Sequence, residues 1–513
     1  MLLPSARRST AMHSPDEPRP LSKSKLVAFR QCPKRLWLEI HHPELRKDSS
    51  ATQATFRTGH ELGALAQRLY DPTGSGVVID LQTEGVSAAV NRTREVIAQG
   101  RPIFEAGFTA EGALAFADVM LPALDGDRIR WRMVEVKSST SVKPYQAEDV
   151  AIQSFAAKAS GIDLNSVAIA FINRDWIYPG GGDYRGLLIE QDLTASAFSR
   201  EDEVKVWIKN AQEIAAQSQP PSIEVGAQCE SPFSCGFMPH CGGSRTKVEF
   251  PVEWLPRVQA KALKDYLAES GAQDMREVPD VLLSRKQRRV RDVTVTGQEY
   301  FDAEGAHQDI SRHGLPAYFL DFETIQFGVP RWAGTKPFQM IPFQFSLHRL
   351  DEQGNLTHQS FLDISGDDPS QVFAHSLLEA CSEPLPVFVY NLGFEGGRLR
   401  ELARRFPLLA PGLDSLRGRL VDLLPIAEAR YYHPSQKGSW SIKNLLPAIV
   451  PGSNYDELTG VQDGGTAMAA YLRAVEAVTG MEQVAEICNQ LSAYCKLDTL
   501  AMVKIWRKFS QNR

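Results

Sequence analysis

The chain has no apolar run approaching the roughly 18 residues of a membrane span, so no transmembrane helix is expected. Its opening stretch, MLLPSARRSTAMHSPDEPRP, carries Arg7 and Arg8 but no apolar h-region; no secretory signal is expected, and residues 1–20 read as a flexible polar tail. A P-loop G-x-x-x-x-G-K-[ST], a G-x-S-x-G elbow and an H-E-x-x-H pair are all missing, which sets aside three widespread enzyme chemistries. No repeat of fixed period is present, and positive charge is not in excess. With 56 Lys and Arg against 62 Asp and Glu, the net charge is −6. That balance counts against a simple phosphate-backbone binder but leaves room for local basic clusters along a groove. Cysteine is sparse at seven residues. The missing export signal points to the reducing cytoplasm, where thiols stay free or bind metals rather than form disulfides.

What is present is a soluble composition, 43% hydrophobic and 23% charged, in a chain of 513 residues that is too long for one core. Two large α/β domains are expected, 21–248 and 315–513, joined by a small basic helical module over 249–314. Residues 21–70 repeat apolar positions at helical spacing and predict two helices, with Cys32 in or just after the first. Between 100 and 137 the period changes to two in PIFEAGF, ALAFADVML and IRWRMVEVK, which predicts consecutive antiparallel strands. EDVAIQSFAAKASGI then reads as a covering helix and SVAIAFIN as a strand. Residues 199–217 read as helix, and a loop holding Cys229, Cys235 and Cys241 follows. A second α/β pattern runs from AYFLDFETI, with strands near 318–322, 341–348 and 386–390 and helices at 395–406 and 485–507.

Two sets of acidic residues carry the chemistry. Asp118 ends one strand, and Glu135 and Lys137 lie two apart on the next, so both point to one face. Two carboxylates there can hold Mg²⁺ or Mn²⁺ through oxygen, and an adjacent ammonium can orient water and balance charge on a phosphate. In the second half, Asp321 and Glu323 share a face of one strand. Asn391 and Glu395 mark a strand-to-helix junction, and Tyr494 and Asp498, four apart, share a helix face. Four carboxylates converging on a strand end repel one another unless divalent cations neutralise them, which argues for a two-metal site in which the Tyr494 hydroxyl can position water. The thiols of Cys32, Cys229, Cys235 and Cys241 bracket the first set and suit either zinc or an iron–sulfur cluster. Arg285, Lys286, Arg288, Arg289 and Arg291 form the densest basic cluster. Arg398, Arg400, Arg404 and Arg405 form another. Each reads either as phosphate contacts or as a solvated helix face.

In FADVM, VEVKSS and EDVAIQSF the first half resembles the RecB-type PD-(D/E)XK nucleases, in particular the CRISPR-associated iron–sulfur subfamily, over roughly residues 22–245. The resemblance implies a restriction-endonuclease-like α/β domain with Asp118, Glu135 and Lys137 catalytic. Gln153 then matches the family's helix motif, and a 4Fe–4S cluster would sit on Cys32, Cys229, Cys235 and Cys241. Two departures are that Ala157 stands where the helix motif has tyrosine, and Gly63, not His60, stands where the early histidine would fall. The second half resembles the DnaQ-like (DEDD) exonucleases of the ribonuclease H-like fold, in the variant with tyrosine in its last motif. This implies Asp321, Glu323, Glu395 and Asp498 as metal ligands and Tyr494 as catalytic. Glu395 stands where aspartate is usual, and Asp422 takes a supporting role. Together the resemblances imply a cytoplasmic metal-dependent nuclease acting on DNA ahead of RNA. Its second site would have 3′→5′ polarity and its first would cleave single strands or ends, in DNA repair or defence. The competing expectations are a nucleic-acid-binding protein with a degenerate first site, and an RNA-processing exonuclease.

Overall fold

The computed structural model describes residues 20–48, 50–126, 128–243, 248–453, 455 and 457–511, the side chains of 50–56 excepted. The expected tail lies outside the described residues apart from Pro20. The chain is mixed α/β in two compact units: Met1–Arg245 with Phe327–Phe338, and Thr246–Gln326 with Gln339–Arg513. Among the described residues no helix is long and apolar enough to cross a membrane.

The first unit is built on a seven-stranded sheet. Strands Ile103–Ala110, Ala113–Asp125 and Arg128–Lys137 run antiparallel, as their period-two pattern predicts. Leu164–Ile172 joins Arg128–Lys137 in parallel after the crossover helix Pro144–Ala159. That helix lays Val150, Ile152 and Phe155 against the sheet, each almost completely buried. Burial of this kind contributes about 1.5–3 kcal/mol per side chain. The strand Leu21–Ser22 is pinned to the same sheet, pairing in parallel with Ala113–Leu114. The Ser22 side chain then caps the helix Lys23–Gln31 by accepting from the Lys25 amide. Cys32 both ends that helix and begins the next, Pro33–His41, whose Pro33 at the first position costs no hydrogen bond.

The second unit centres on a five-stranded sheet ordered Leu356–Leu362, Ile341–Leu350, Ala317–Ile325, Val387–Val389, Leu420–Asp422. The first three strands pair antiparallel and the last three parallel. Helix Met481–Ser510 presents Ile487, Leu491, Tyr494, Asp498 and Met502 along one buried stripe, the spacing expected of one helix face. Ile341–Leu350 has buried polar residues among its apolar ones, and these bond to the helix Met481–Ser510, Gln344 Oε1 alone lacking a partner. Gln344 donates to the Leu491 carbonyl at 3.0 Å, and Ser346 and His348 each meet the Thr499 hydroxyl at 2.7 Å.

Two boundaries differ from those expected. The module over 249–314 is not one body. Leu255, Leu263, Met275, Val278 and Leu283 form a small core, whereas Val290, Val293, Ala306 and Ile310 belong to a core with Phe319, Tyr431 and Met502 of the second sheet domain. The apolar face of Arg285–Thr296 is thus used inside the unit rather than between domains. Phe327–Phe338, expected inside the second domain, belongs with the first unit. Main-chain bonds exchanged between Tyr178 and Gly334 and Thr335, and the Tyr184 hydroxyl on the Pro330 carbonyl, hold it there.

Candidate active sites

In the first unit the sheet brings Asp118, Glu135 and Lys137 together as expected. Asp118 Oδ2 accepts from the Val136 amide at 2.7 Å. The Glu135 side chain is 2% exposed; its Oε1 accepts from Lys137 at 2.6 Å and from Lys23 at 2.8 Å, and its Oε2 from Gln153 at 2.6 Å. Gln153 also donates to the Phe116 carbonyl at 2.9 Å, which ties the covering helix to the Asp118 strand. Lys137 reaches Asp149 Oδ2 at 2.5 Å, and Lys23 lies 3.5 Å from Asp149 Oδ1. Burial, then the neighbouring Glu135 charge, pushes Asp118 well above the usual carboxylate range. Burial works against ionisation of Glu135 too, but Lys137 and Lys23 prevail and hold it below its ordinary value. Across from Asp118, between the pairs Phe104–Val119 and Ala106–Ala117, stands Glu105 with φ 58°. Burial and then Glu135 raise its pKa.

Lys23 and Asp149 were not visible as site residues. Lys23 sits in LSKSK, which reads as a solvated start. Asp149 did carry a signal, because it lies one helical turn before Gln153 on the face aimed at Glu135.

In the second unit Asp321, Glu323 and Asp498 each offer an oxygen, and these lie within 4.8 Å of one another. Burial and then Asp498 raise both Asp321, which goes well above its ordinary range, and Glu323, which is pushed up to about 8. Burial lifts Asp498 to about 6. Glu395, in the first turn of the helix Leu392–Arg405, is 1% exposed and its Oε2 has no hydrogen-bond partner. Burial raises it to about 8. It stands outside the 4.8 Å group but close enough for its charge to raise Asp321 and Glu323.

Asn391 serves through its backbone. Its φ of 83° turns the strand into the helix, a conformation asparagine tolerates better than most residues. Asp422 accepts from the Asn391 and Leu392 amides at 3.0 Å each, and from Leu424 at 3.0 Å, so one carboxylate fastens the starts of two helices. Tyr494 lies beside Asp498 as expected. A second tyrosine was missed: Tyr455 donates to Asp498 Oδ1 at 2.5 Å. Lys443, second residue of the helix Ile442–Ile449, lies 5.6 Å and 5.1 Å from the Tyr455 and Tyr494 ring centres and donates to the Gln462 carbonyl at 2.5 Å. The sequence around Tyr455, SNYDEL, has no period to place it.

Cys32, Cys229, Cys235 and Cys241 line one cavity in the first unit, all as free thiols. The Cys235 amide donates to the Cys229 carbonyl at 2.8 Å and the Cys241 amide to that of Phe237 at 2.9 Å, winding the late three around the cavity. Gln31 holds the early side by donating to the Gln228 and Phe233 carbonyls. Burial raises the Cys235 and Cys241 thiols above their ordinary range.

The basic cluster divides. Lys286 pairs with Glu428 at 2.6 Å, Arg289 donates to the Glu428 and Ala429 carbonyls, and Arg291 pairs with Asp280 at 2.6 Å and with Asp292 at 2.8 Å. These three have partners within the fold, which favours the helix-face reading for them over phosphate contacts. Arg285 and Arg288 are exposed. If they meet phosphates, replacing both with alanine will weaken binding equally for all sequences. It will also flatten the salt dependence by about 2 units of log–log slope. A filter-binding titration over salt checks this, and an unchanged slope makes them a solvated face.

The family model of a domain of unknown function, DUF2779, matches residues 318–441, a stretch that holds Asp321, Glu323, Glu395 and Asp422 but not Asp498 or any residue of the first site. No curated protein matches the chain.

Proposed function

We propose that the chain is a metal-dependent DNA nuclease with two active sites, acting in DNA repair or defence. The second unit is read as a ribonuclease H-like 3′→5′ exonuclease. The first is read as a restriction-endonuclease-like, RecB-type nuclease with a 4Fe–4S cluster that cleaves single strands or ends. The observation that carries this reading is the buried group of Asp321, Glu323 and Asp498, whose oxygens converge within 4.8 Å and whose pKa values are raised by burial, with repulsion from Asp498 added for Asp321 and Glu323. None of the three forms an ion pair with Lys or Arg among the described residues. The unpartnered buried Oε2 of Glu395 adds a further donor, so the residues fit a pair of hard divalent cations.

Such cations, Mg²⁺ or Mn²⁺, would supply an activated water and stabilise the leaving oxygen. The chain's own part is then clear. The strand fixes Asp321 and Glu323, Tyr455 holds Asp498 at Oδ1, and Tyr494 is placed to orient water. Asp422 keeps the Glu395 helix start in position, and Lys443 offers positive charge beside the two tyrosines. In the first site Lys137 stands beside Glu135 where an ammonium can balance phosphate charge, while Gln153 holds Glu135 against the Phe116 carbonyl. Asp149 Oδ1 and Gln153 Oε1 are buried there without hydrogen-bond partners, as in a site with room for a further group.

The four thiols line one cavity and suit either zinc or an iron–sulfur cluster, and the resemblance of the first half to the iron–sulfur nucleases favours the cluster. This cluster would clamp Cys32 to a segment some 200 residues later.

A second reading has its own support. Both Glu135 oxygens are occupied by Lys23, Lys137 and Gln153, and Ala157 replaces the family's tyrosine, which favours a first unit that only holds nucleic acid. The deciding experiment uses 5′- and 3′-labelled single- and double-stranded DNA and RNA with Mg²⁺, Mn²⁺ or EDTA. Lys137→Ala is expected to remove cleavage of substrates with a blocked 3′ end while 3′→5′ degradation persists. If Lys137→Ala leaves every activity intact while Asp321→Ala removes all of it, the holding-module reading replaces the two-nuclease one. Preference for RNA would make the chain an RNA-processing exonuclease.

A further inference from the structure

Lys23 and Asp149 lie outside the expected nuclease set, yet they complete a closed group of charges with Glu135 and Lys137. Both ammoniums contact the same oxygen, Glu135 Oε1, at 2.8 Å and 2.6 Å, and both also face Asp149, one on each of its oxygens, at 3.5 Å and 2.5 Å. The Lys23 side chain is 20% exposed and that of Asp149 is 9% exposed, so this is a largely enclosed quartet rather than a surface pair. Its two carboxylates balance its two ammoniums. The other Glu135 oxygen is taken by Gln153, which is itself anchored to the Phe116 carbonyl. A divalent cation that Asp118 and Glu135 share through Oε1 therefore has to displace an ammonium from that oxygen, because Lys23 and Lys137 take both of its lone pairs.

We infer that Lys23 and Asp149 form an exchange device in the first site: Lys23 competes with the divalent cation for Glu135, and Asp149 receives the displaced ammonium. This rests on the reading of that site as metal-dependent. The geometry makes the hand-over short. Lys137 already bonds Asp149 at 2.5 Å, and Lys23 needs to move by less than an ångström from 3.5 Å to reach ordinary bonding distance to an oxygen that has no hydrogen-bond partner. The unpartnered Asp149 Oδ1 is then the acceptor kept for that movement. Lys23 cannot drift away, since it is the first residue of a helix capped by Ser22, and Leu21–Ser22 is paired to the strand that carries Asp118. With the cation in place the quartet gains two positive charges, which suits it to receive an anionic phosphodiester. Without the cation it is neutral and internally satisfied. Both residues are positioning residues in this scheme, acting through Glu135.

The test uses the full chain with Asp321→Asn and Asp498→Asn, so that the second site does not contribute, and follows Mn²⁺ binding by the loss of the free-ion electron paramagnetic resonance signal. In this parent, Lys23→Met removes the competing charge and is expected to tighten Mn²⁺ roughly tenfold, whereas Lys23→Arg, which keeps the charge, does not tighten it. Asp149→Asn removes the acceptor and is expected to weaken Mn²⁺ roughly tenfold, with Asp149→Glu restoring much of the loss. A merely structural role for Lys23 would give equal or weaker binding on its removal, so tightening is the discriminating sign. Mn²⁺ binding in the parent that Lys23→Met does not tighten, or that Asp149→Asn leaves unchanged, overturns the exchange device alone. Absence of first-site binding in the parent overturns the metal-dependent reading of that site together with it.

Discussion

Asp321→Asn will abolish metal-dependent 3′→5′ degradation, by roughly a thousandfold or more, and at the same time make the metal-free protein more stable. The first effect follows from removing a charged oxygen at the centre of the Asp321, Glu323 and Asp498 group, where cation charge would be organised for the reaction. The second follows from the cost of that group when empty. Burial and repulsion lift Glu323 from 4.5 to about 8 and Glu395 likewise to about 8. Their folded values lie above their unfolded ones, so between these limits the native chain holds more protons than the unfolded chain. Stability of the metal-free protein therefore falls as pH rises from about 4.5 towards 8. Asparagine at 321 removes a carboxyl whose own pKa burial and then Asp498 raise well above its ordinary range, and so flattens this slope. Bound Mg²⁺ or Mn²⁺ reverses the picture, because it favours the ionised carboxylates, and cation-induced stabilisation will grow with pH over the same window. Thermal melts in EDTA and in Mn²⁺ at pH 5, 6, 7 and 8, run beside a 3′→5′ digestion assay, read both effects. Equal melting temperatures for the wild type in EDTA and Mn²⁺ at pH 8 would sink the metal assignment.

The second large effect is expected at Cys32. Anaerobically purified protein will carry about four irons and four sulfides per chain. Cys32→Ser will lose them and destabilise the first unit by on the order of 4–5 kcal/mol, by analogy with closing a loop of about 200 residues. The contribution comes from confining the unfolded chain, since Cys32 and Cys241 are separated by most of the first unit's sequence. Cys488→Ser, on the long helix of the second unit, will leave iron content unchanged and serves as the control. Stoichiometric zinc without iron, or full iron content in Cys32→Ser, would overturn the assignment.

Features fixed by short-range pattern were legible in the sequence. Asp118, Glu135 and Lys137 sit on strands of clear period two, and Tyr494 and Asp498 sit one helical turn apart on a strongly periodic helix. Their juxtaposition follows from element type and order alone. Tyr455 and Lys23 were hidden because their positions depend on long-range pinning, by the Asp498 hydrogen bond in one case and by the pairing of Leu21–Ser22 with Ala113–Leu114 in the other. No window of sequence encodes such long-range contacts. The basic helix was legible only in part for a related reason. Charge density is readable from RKQRRVR, but the partners Glu428 and Asp280 that absorb Lys286 and Arg291 are not. The short apolar face Val290–Val293 within that helix was the overlooked sign that it packs inside the second unit.

Asp422 has an implication for how loss-of-function screens on this chain are interpreted. Its carboxylate touches no member of the acidic group, yet it accepts the amides that open the Glu395 helix and also one that opens its own. A screen scored only by activity would place Asp422 beside Asp321 and Glu323 as equally essential and inflate the apparent ligand count to five. Asparagine separates the classes, since with its oxygen in the Oδ1 place it can still accept from the Asn391 and Leu424 amides, losing only that of Leu392, while bearing no charge. Tolerance of asparagine at 422, against its failure at 321, sorts a fastener from a ligand in a single round of substitution.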